Sequence, residues 1–362
     1  MTIWSDFRGH ADQREMLRRA VERNRLTHAY LFVGIDGIGK QLFARHMAQS
    51  LLCRDKGRDP LEACGECSAC RPFLAGNHPD FLSARRPDGA RFFPISLIVG
   101  TKELRGEDGL VYDLSLRPLE DSRKVAIICD VDTMNEESAN AFLKTLEEPP
   151  ERAVLILIAS NLDAVMPTIR SRCQLVRFSP LSIQDVQELL LEKQLAPSEE
   201  EARFAAALSQ GSLTLARQML QPELKEMRAS LYSALSQSGF SGLAVAKPLL
   251  EIIDKISSDT PEQRVNAQWL IQFAVEFYRS ALRCVGQPGS KGSSKAGTIP
   301  EAERWASAIA NRAGCLDLIG ELIERSVDAS DHILQNVPVP LALETMLNDL
   351  AKLSRPTETR KT

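Results

Sequence analysis

The sequence lacks any apolar run long enough to cross a membrane. Its longest uninterrupted run is Ala153–Ala159, far short of the ~20 residues that span a bilayer. Asp6 and Arg8 interrupt the first residues before any apolar stretch begins, so the sequence predicts no secretion signal. We therefore expect a soluble, cytoplasmic protein with no membrane partner.

The chain also lacks a large excess of either charge, and it has few cysteines. Its 44 basic and 48 acidic residues give a net charge of -4, which is not the balance of a protein that binds nucleic acid over much of its surface. Eight cysteines in 362 residues are too few for a disulfide scaffold. The length itself predicts two or three domains.

Short apolar runs typical of β-strands recur in the first half of the chain, with helical patterns between them. The predicted strands are Ala29–Val33, Lys124–Cys129, Val154–Ile158 and Leu175–Phe178. Continuous apolar runs of this kind are typical of parallel strands buried on both faces. After Pro180 the strand signals stop and helical patterns continue. The sequence therefore predicts an α/β domain followed by helical domains.

The last third of the chain has the pattern of a helical bundle. Five apolar residues recur there at four-residue spacing, which predicts one buried stripe: Val265, Trp269, Phe273, Phe277 and Ala281. The stretch 286–297 is rich in glycine and serine, and we interpret it as a flexible connector.

A glycine-rich loop follows the first predicted strand. Its pattern is Gly34-x-x-x-x-Gly39-Lys40, with a further glycine at Gly37, and an amphipathic helix comes next. Glycines in this pattern let backbone N–H groups and a helix N-terminus face a polyphosphate, while the lysine reaches the outer phosphates. The pattern therefore predicts a phosphate loop.

The residue after the lysine argues against an active ATPase. This position commonly supplies a Ser or Thr hydroxyl to Mg²⁺. Gln41 stands there instead, and its longer amide cannot place an oxygen at the same point. The sequence leaves two alternatives for the loop: a site for ATP and Mg²⁺, or a vestigial site.

An acid closes the second predicted strand. Asp130 has the position from which a carboxylate holds the water shell of Mg²⁺ opposite a phosphate loop. The next residue, where a hydrolytic glutamate commonly stands, is Val131, which cannot accept a proton. Asp132 comes one residue later, and we interpret it as a solvated loop acid. The alternative is that it imitates the missing glutamate, which would require the backbone to turn there. Ser160, after the third predicted strand, completes the candidate nucleotide-binding set.

Four of the eight cysteines lie close together. Cys53, Cys64, Cys67 and Cys70 have the spacing C-x10-C-x2-C-x2-C, and small residues between them allow tight turns. Four thiolates complete the tetrahedral shell of a structural Zn²⁺ ion and leave no open position for catalysis. The spacing predicts a zinc module at about 53–70.

One arginine has a candidate role in a neighbouring subunit. Arg172 lies between Ser171 and Cys173, before the last predicted strand. An arginine held on a short rigid turn can place its guanidinium on a γ-phosphate bound by another subunit. Arg172 is thus a candidate arginine finger in trans, and a surface salt bridge is the alternative.

Together these motifs resemble those of the delta-prime family of bacterial DNA polymerase III clamp-loader subunits, which are AAA+ proteins. The resemblance covers nearly the whole chain. It is carried by His28–Gly34 with Gly39-Lys40, by the four clustered cysteines, by Asn140–Pro150 and by Ser171–Cys173.

The resemblance implies three domains and a place in an assembly. The domains are a RecA-like AAA+ domain at 1–178 with the inserted zinc module, an all-α lid at 179–240 and an all-α collar at 241–362. The collar joins other clamp-loader subunits into a hetero-pentamer. This assembly, part of the DNA polymerase III holoenzyme, opens a sliding clamp and loads it onto primed DNA with ATP bound by motor subunits.

Three departures from the motor subunits of that family concern catalysis. Gln41 replaces the magnesium hydroxyl, Val131 replaces the hydrolytic glutamate and Thr214 replaces the lid arginine. Arg172 is intact. The combination predicts a subunit without intrinsic ATPase activity that supplies Arg172 to its neighbour. The alternatives are an ATP-hydrolysing gamma/tau-type motor subunit and a zinc-stabilised nucleic-acid-binding module with a vestigial loop.

Overall fold

The protein forms two compact units in the part of the chain that the structure describes. The first unit runs from the N-terminal residues to Val186 and includes Gln210–Thr214. The second contains Gln187–Ser209 and the chain from Leu215 onwards. The computed structural model describes residues 3–5, 7–55, 57, 59–87, 90–101, 107–118, 123–237, 239–257, 260–286 and 299–355.

The first unit is built on a parallel sheet of five strands in the order β2-β3-β4-β1-β5. The strands are β1 Ala29–Val33, β2 Phe81–Ala84, β3 Lys124–Ile128, β4 Ala153–Ala159 and β5 Gln174–Arg177. In the middle of the sheet, Leu31 lies opposite Leu157 on one side and Leu175 on the other. The predicted α/β sheet and its four predicted strands are confirmed, and β2 is an additional strand.

Helices account for most of the remaining described residues. They are α1 Ala11–Glu22, α2 Lys40–Leu52, α3 Cys70–Leu74, α4 Ser96–Val99, α5 Leu110–Ser115, α6 Glu136–Glu147, α7 Pro167–Arg170, α8 Ile183–Glu192, α9 Glu199–Leu208, α10 Leu213–Met219, α11 Pro222–Leu235, α12 Gly242–Ile256, α13 Thr260–Gly286, α14 Pro300–Ile309, α15 Cys315–Leu334 and α16 Val339–Ser354. A short 3-10 turn, Val131–Thr133, follows β3. No described helix is both long enough and apolar enough to span a bilayer.

Helices cover both faces of the sheet. Every residue of β1, β3 and β4 is buried, as expected for parallel strands between two helical layers. On one face, Leu31 and Leu155 share a core with Phe142 of α6. On the other face, the ring of Phe32 lies 5.7 Å from that of Phe43 in α2. The candidate site lies at the edge of the sheet that is formed by the carboxyl ends of the strands.

The long helix α13 carries the predicted apolar stripe of the second unit. Four members of the stripe, from Trp269 to Ala281, are buried, but Val265 is 53% exposed. A step of four residues overshoots the 3.6-residue helical turn by about 40°. Five such positions therefore spread over roughly 160° of the helix surface, and the first of them leaves the buried face.

The domain boundaries inside the helical part remain a prediction. The second unit is wholly helical within the described residues, and its division into a lid at 179–240 and a collar at 241–362 is an expectation from the resemblance. The predicted connector at 286–297 lies, apart from Gly286, outside the described residues.

Candidate nucleotide-binding and metal sites

The glycine-rich loop lies between the end of β1 and the start of α2. Gly37 and Gly39 have φ angles of 78° and 99°, in the left-handed region that favours glycine. A Cβ atom at Gly37 would also lie 2.3 Å from Ser212 Oγ. Backbone conformation and packing therefore both require a glycine at position 37. The strand, loop and helix occur in the predicted order, and we call the loop the phosphate loop after that prediction.

Lys40 turns back against this loop. Its Nζ donates hydrogen bonds to the carbonyl oxygens of Gly34 at 2.6 Å and Ile35 at 2.8 Å, and it lies 3.6 Å from Asp36 Oδ1. Burial lowers the pKa of Lys40, and the Asp36 carboxylate opposes that shift. Nζ of Lys40 therefore lies beside the loop, bonded to its carbonyl oxygens. Gln41 lies exposed on the first turn of α2.

The other predicted nucleotide-binding residues reach the loop from neighbouring strands. Because β3, β4 and β1 are adjacent and parallel, their carboxyl ends meet at one edge of the sheet. Ser160 follows β4, and its Oγ donates a hydrogen bond of 2.5 Å to Asp36 Oδ1. Asp130 follows β3 and adds negative charge near Lys40. The structure thus brings Lys40, Asp130 and Ser160 to the same edge.

A cation that the sequence analysis missed stands beside Asp130. Nε of Arg85, which follows β2, lies 3.5 Å from Asp130 Oδ2. Burial raises the pKa of Asp130, and the positive charges of Arg85 and Arg86 oppose that shift. Arg85 therefore supplies positive charge to the carboxylate that was predicted to hold the water shell of Mg²⁺. Without β2 among the predicted strands, nothing placed Arg85 at this edge.

Val131 is part of the hydrophobic core. Its side chain is 0% exposed and belongs to the same core cluster as Phe142. The backbone of Asp130 has a φ of 60°, and this left-handed residue starts the short 3-10 turn that carries Val131 into the core. The position at which ATPases place a hydrolytic carboxylate therefore faces apolar side chains.

Asp132 is a structural residue, and its prediction as a solvated loop acid was wrong. Its Oδ2 accepts hydrogen bonds from the backbone N–H groups of Ser160 at 2.9 Å and Asn161 at 3.0 Å. The turn at Asp130 re-orients the chain after β3, so that the carboxylate reaches the segment after β4. Asp132 therefore ties together two of the loops that form the candidate site.

Replacing Asp132 with alanine should lower the free energy of unfolding by about 1–2 kcal/mol, because two backbone N–H groups lose a charged acceptor. Asp163→Ala is the matched control. The Asp163 side chain is 92% exposed and lies 4.0 Å from Arg170, so its loss should change stability by less than about 0.5 kcal/mol. Urea unfolding measures both variants, and equal midpoints for the two would contradict this role for Asp132.

Residues 212–214 pack directly on the phosphate loop. The backbone N–H of Leu213 donates to the carbonyl oxygen of Gly37 at 2.9 Å. Thr214 lies beside it, with its N and Oγ1 atoms both 2.7 Å from the point at which a Cβ of Gly37 would stand. Thr214 therefore lies next to the loop, where the resemblance implies a lid arginine, and it offers a hydroxyl group and no positive charge.

Two N-terminal residues also contact the loop, and the sequence analysis singled out neither. Nε2–H of His10 donates to the carbonyl oxygen of Ile38 at 2.9 Å, and burial lowers the pKa of His10. The ring of Phe7 lies 3.3 Å from the position of a Cβ at Gly39. Both residues precede α1, far from the loop in sequence, and no motif marks them.

The four clustered cysteines converge at the end of α2. Their Sγ atoms lie within 4.8 Å of one another; Cys53 and Cys64 are 3.7 Å apart, and Cys64 and Cys70 are 4.0 Å apart. Tetrahedral coordination with metal–sulfur bonds of about 2.3 Å places sulfur atoms roughly 3.8 Å apart. Backbone N–H groups of Cys64, Cys67 and Cys70 also point to sulfur atoms of the cluster, at 3.3–3.4 Å. The cluster can therefore hold a metal ion.

The loop within this cluster is attached to the N-terminal segment. Trp4 Nε1 donates to the carbonyl oxygen of Leu61 at 2.8 Å. Arg14 of α1 forms ion pairs with Asp59 at 3.1 Å and Glu62 at 2.9 Å. A metal ion at the four cysteines would therefore stabilise a loop that contacts Trp4 and Arg14. These two residues belong to the same N-terminal segment as Phe7 and His10, which contact the phosphate loop.

Arg172 lies in a separate cluster. Its Nη2 donates to Glu147 Oε1 at 2.5 Å, and its Nη1 donates to the Thr168 carbonyl oxygen at 3.0 Å and to Ser171 Oγ at 3.2 Å. The side chain is 34% exposed. Among the described residues these partners all lie outside the phosphate loop, so the guanidinium is directed to a different surface of the first unit.

The fold defines a parallel α/β protein with a glycine-rich loop after its first strand, and comparison with known proteins identifies its family. The family model described as "DNA polymerase III, delta subunit" matches residues 9–182. DNA polymerase III subunit delta' of Bacillus subtilis is 33% identical over 62% of this chain and 64% of its own length. The delta' subunit of Pseudomonas aeruginosa is 32% identical over 69% of this chain and 68% of its own length.

The chain belongs to the delta-prime family of DNA polymerase III subunits. The matched part spans about two thirds of the length of these two relatives. A more distant similarity, of 26% identity over 84% of this chain, is to DNA polymerase III subunit tau of Bacillus subtilis.

Proposed function

We propose that the protein is a non-hydrolysing delta-prime-type subunit of the DNA polymerase III clamp loader. In this role it assembles with other clamp-loader subunits into a hetero-pentamer that opens the sliding clamp and loads it onto primed DNA in the bacterial cytoplasm. The observation that carries the proposal is the burial of Val131 in the core. A site with an apolar side chain at this position has no carboxylate to orient the attacking water.

The surroundings of the phosphate loop support the same proposal. Gln41 supplies no hydroxyl for Mg²⁺, and the carboxylate of Asp130 already has the Arg85 guanidinium 3.5 Å away. Thr214 brings no positive charge to the loop. In phosphoryl transfer, a hydroxyl, a free carboxylate and an arginine at these three positions stabilise the metal or the developing negative charge. The hydroxyl and the arginine are replaced and the carboxylate is paired with Arg85, so three independent contributions to turnover are lost or weakened. We propose that the loop is vestigial for catalysis.

Arg172 gives the subunit its proposed part in catalysis. The guanidinium is held at the surface by Thr168 of α7 and by Glu147 at the end of α6. An arginine supplied in trans can raise the rate of phosphoryl transfer about 10³-fold or more. The protein would therefore complete the ATP site of an adjacent motor subunit without cleaving ATP itself.

The four-cysteine cluster has a structural part in the proposal. Four sulfur ligands at tetrahedral spacing suit Zn²⁺ and leave no open coordination position. Cys53, Cys64, Cys67 and Cys70 would hold the ion, which would replace a hydrophobic core in this short module. In the described part of the module, Ala63 packs in a small apolar cluster with Cys53 and Cys70.

Steady-state ATP hydrolysis by the purified chain tests this proposal. We expect phosphate release no faster than that of a Lys40→Ala variant, because the groups that orient water and stabilise charge are absent. A rate that clearly exceeds that of Lys40→Ala would overturn the proposal and favour a gamma/tau-type motor subunit. The loop geometry around Lys40 and the similarity to subunit tau are the observations behind that second candidate.

A further inference from the structure

We propose that Glu147 is a positioning residue for Arg172, holding its guanidinium in the orientation in which it meets the ATP of a neighbouring subunit. This inference rests on the proposed function and names a second residue that the function needs. The two side chains form an ion pair with Nη2 and Oε1 2.5 Å apart. Glu147 is 25 residues away in sequence, so the fold, and not local chain geometry, brings it to Arg172.

On the Glu147 side, the ion pair is anchored on helix α6. Glu147 is the last residue of α6, whose first turn is capped by Asn135 Oδ1 accepting from Ser138 N at 2.9 Å. The other end of α6 is tied to the start of β1, because the ring nitrogen Nε2 of His28 contacts the carbonyl oxygen of Leu146 at 3.1 Å. Both ends of α6 are therefore fixed, and Glu147 has a defined place from which to hold the arginine.

The remaining contacts of Arg172 come from the short helix before it. Nη1 uses its two hydrogens on the Thr168 carbonyl oxygen and on Ser171 Oγ. Ser171 Oγ in turn donates to the Thr168 carbonyl oxygen at 3.1 Å. These bonds fix one nitrogen of the guanidinium, and the bond to Glu147 fixes a second, so the plane of the group is determined by two independent anchors.

The contacts of the Arg172 guanidinium do not use all of its N–H donors. A guanidinium group has five N–H donors. Among the described residues, the contacts to Thr168, Ser171 and Glu147 occupy three of these donors, which leaves Nε–H and one N–H of Nη2. Two donors are enough for the oxygens of one phosphate group. The fork is therefore held in place and still able to bind.

Holding the arginine in advance has a kinetic consequence. A long side chain that must be ordered during the reaction slows it, whereas a group already in position does not. The pair is partly exposed, at 34% for Arg172 and 49% for Glu147, so solvent screens its charge attraction. Glu147 therefore acts mainly by fixing orientation, and only weakly by neutralising the guanidinium charge.

The test uses the reconstituted clamp loader with Glu147→Gln, Glu147→Ala and the matched control Glu148→Gln. Glu148 is the next residue and is exposed. In a single-turnover measurement, we expect both Glu147 variants to lower the rate of ATP hydrolysis at the site that Arg172 serves by about 10-fold with the affinity for ATP unchanged, and Glu148→Gln to have no effect. Size-exclusion chromatography and thermal unfolding of the variant chain verify assembly and folding.

A double-mutant cycle with Arg172→Ala separates positioning from a general structural role. If Glu147 acts through Arg172, the change Glu147→Gln should have less than a 2-fold effect in a loader that already carries Arg172→Ala. An equal loss with and without Arg172, or no loss with Arg172 present, would overturn the inference. If Arg172→Ala itself leaves turnover unchanged, the proposed function fails too; if only Glu147→Gln is silent, the proposed function stands.

Discussion

Replacing Cys70 with serine should reduce bound zinc from about one equivalent per chain to nearly none, and should lower the stability of the first unit. Burial raises the pKa of Cys53 and of Cys70 and so disfavours their thiolates, whereas a coordinating metal favours the thiolate form. The free energy of binding a structural zinc ion is also folding free energy, of the order of 10 kcal/mol in small zinc modules. Losing one of four ligands should remove most of it.

The consequences should extend beyond the module. Its loop holds Trp4 through Leu61, and it holds Arg14 through Asp59 and Glu62. When the loop loosens, Trp4, which is buried in the intact protein, should become accessible to solvent. We therefore expect the fluorescence of Trp4 to shift to longer wavelength in a protein in which the other two tryptophans are replaced by phenylalanine.

Elemental analysis and thermal unfolding of protein purified without chelator measure these effects. Cys315→Ser is the matched control, because Cys315 lies at the start of α15, outside the cluster. It should keep the full zinc content and the full stability. A Cys70→Ser protein that retains one equivalent of zinc, or an unmodified protein that contains none, would contradict the predicted site.

The sheet and the four-cysteine cluster could be predicted from sequence because their signals are local. The central strands are continuous apolar runs, and the cysteine ligands follow at fixed short spacing, so a tight turn suffices to bring them together. β2 has no such signal. It is a four-residue edge strand in which Ser83 is exposed, and a short run of mixed polarity resembles a loop. Because β2 was not predicted, the position of Arg85 beside Asp130 was not predicted either.

The residues that were missed depend on backbone turns and on contacts between distant segments. Asp132 could not be interpreted correctly without the left-handed conformation of Asp130, which changes the direction of the following side chains. The contacts of His10 with Ile38 and of Glu147 with Arg172 join residues far apart in sequence. Residue spacing carries no information about such pairs, because they arise only when the sheet brings the segments together.

Replacing Arg172 with alanine should lower the rate of ATP hydrolysis about 10³-fold at the neighbouring site of the clamp loader. The guanidinium would no longer stabilise the charge that develops on the γ-phosphate, while the rest of that site, contributed by the motor subunit, is unchanged. Because a clamp loader contains more than one ATP site, its steady-state rate of ATP hydrolysis is the sum of the rates at all of its sites. A single-turnover measurement is sharper, since the fast phase of phosphate release should lose the amplitude of one site.

Two variants make this experiment specific for a guanidinium at position 172. Arg170→Ala is the matched control, since Arg170 lies on the same turn but only reaches Asp163 at 4.0 Å, and it should leave the fast phase intact. Arg172→Lys keeps the positive charge but loses the planar fork, so it should restore only a small part of the rate. A full fast phase in the Arg172→Ala loader, with assembly verified by size-exclusion chromatography, would show that this subunit lends no catalytic group to its neighbour.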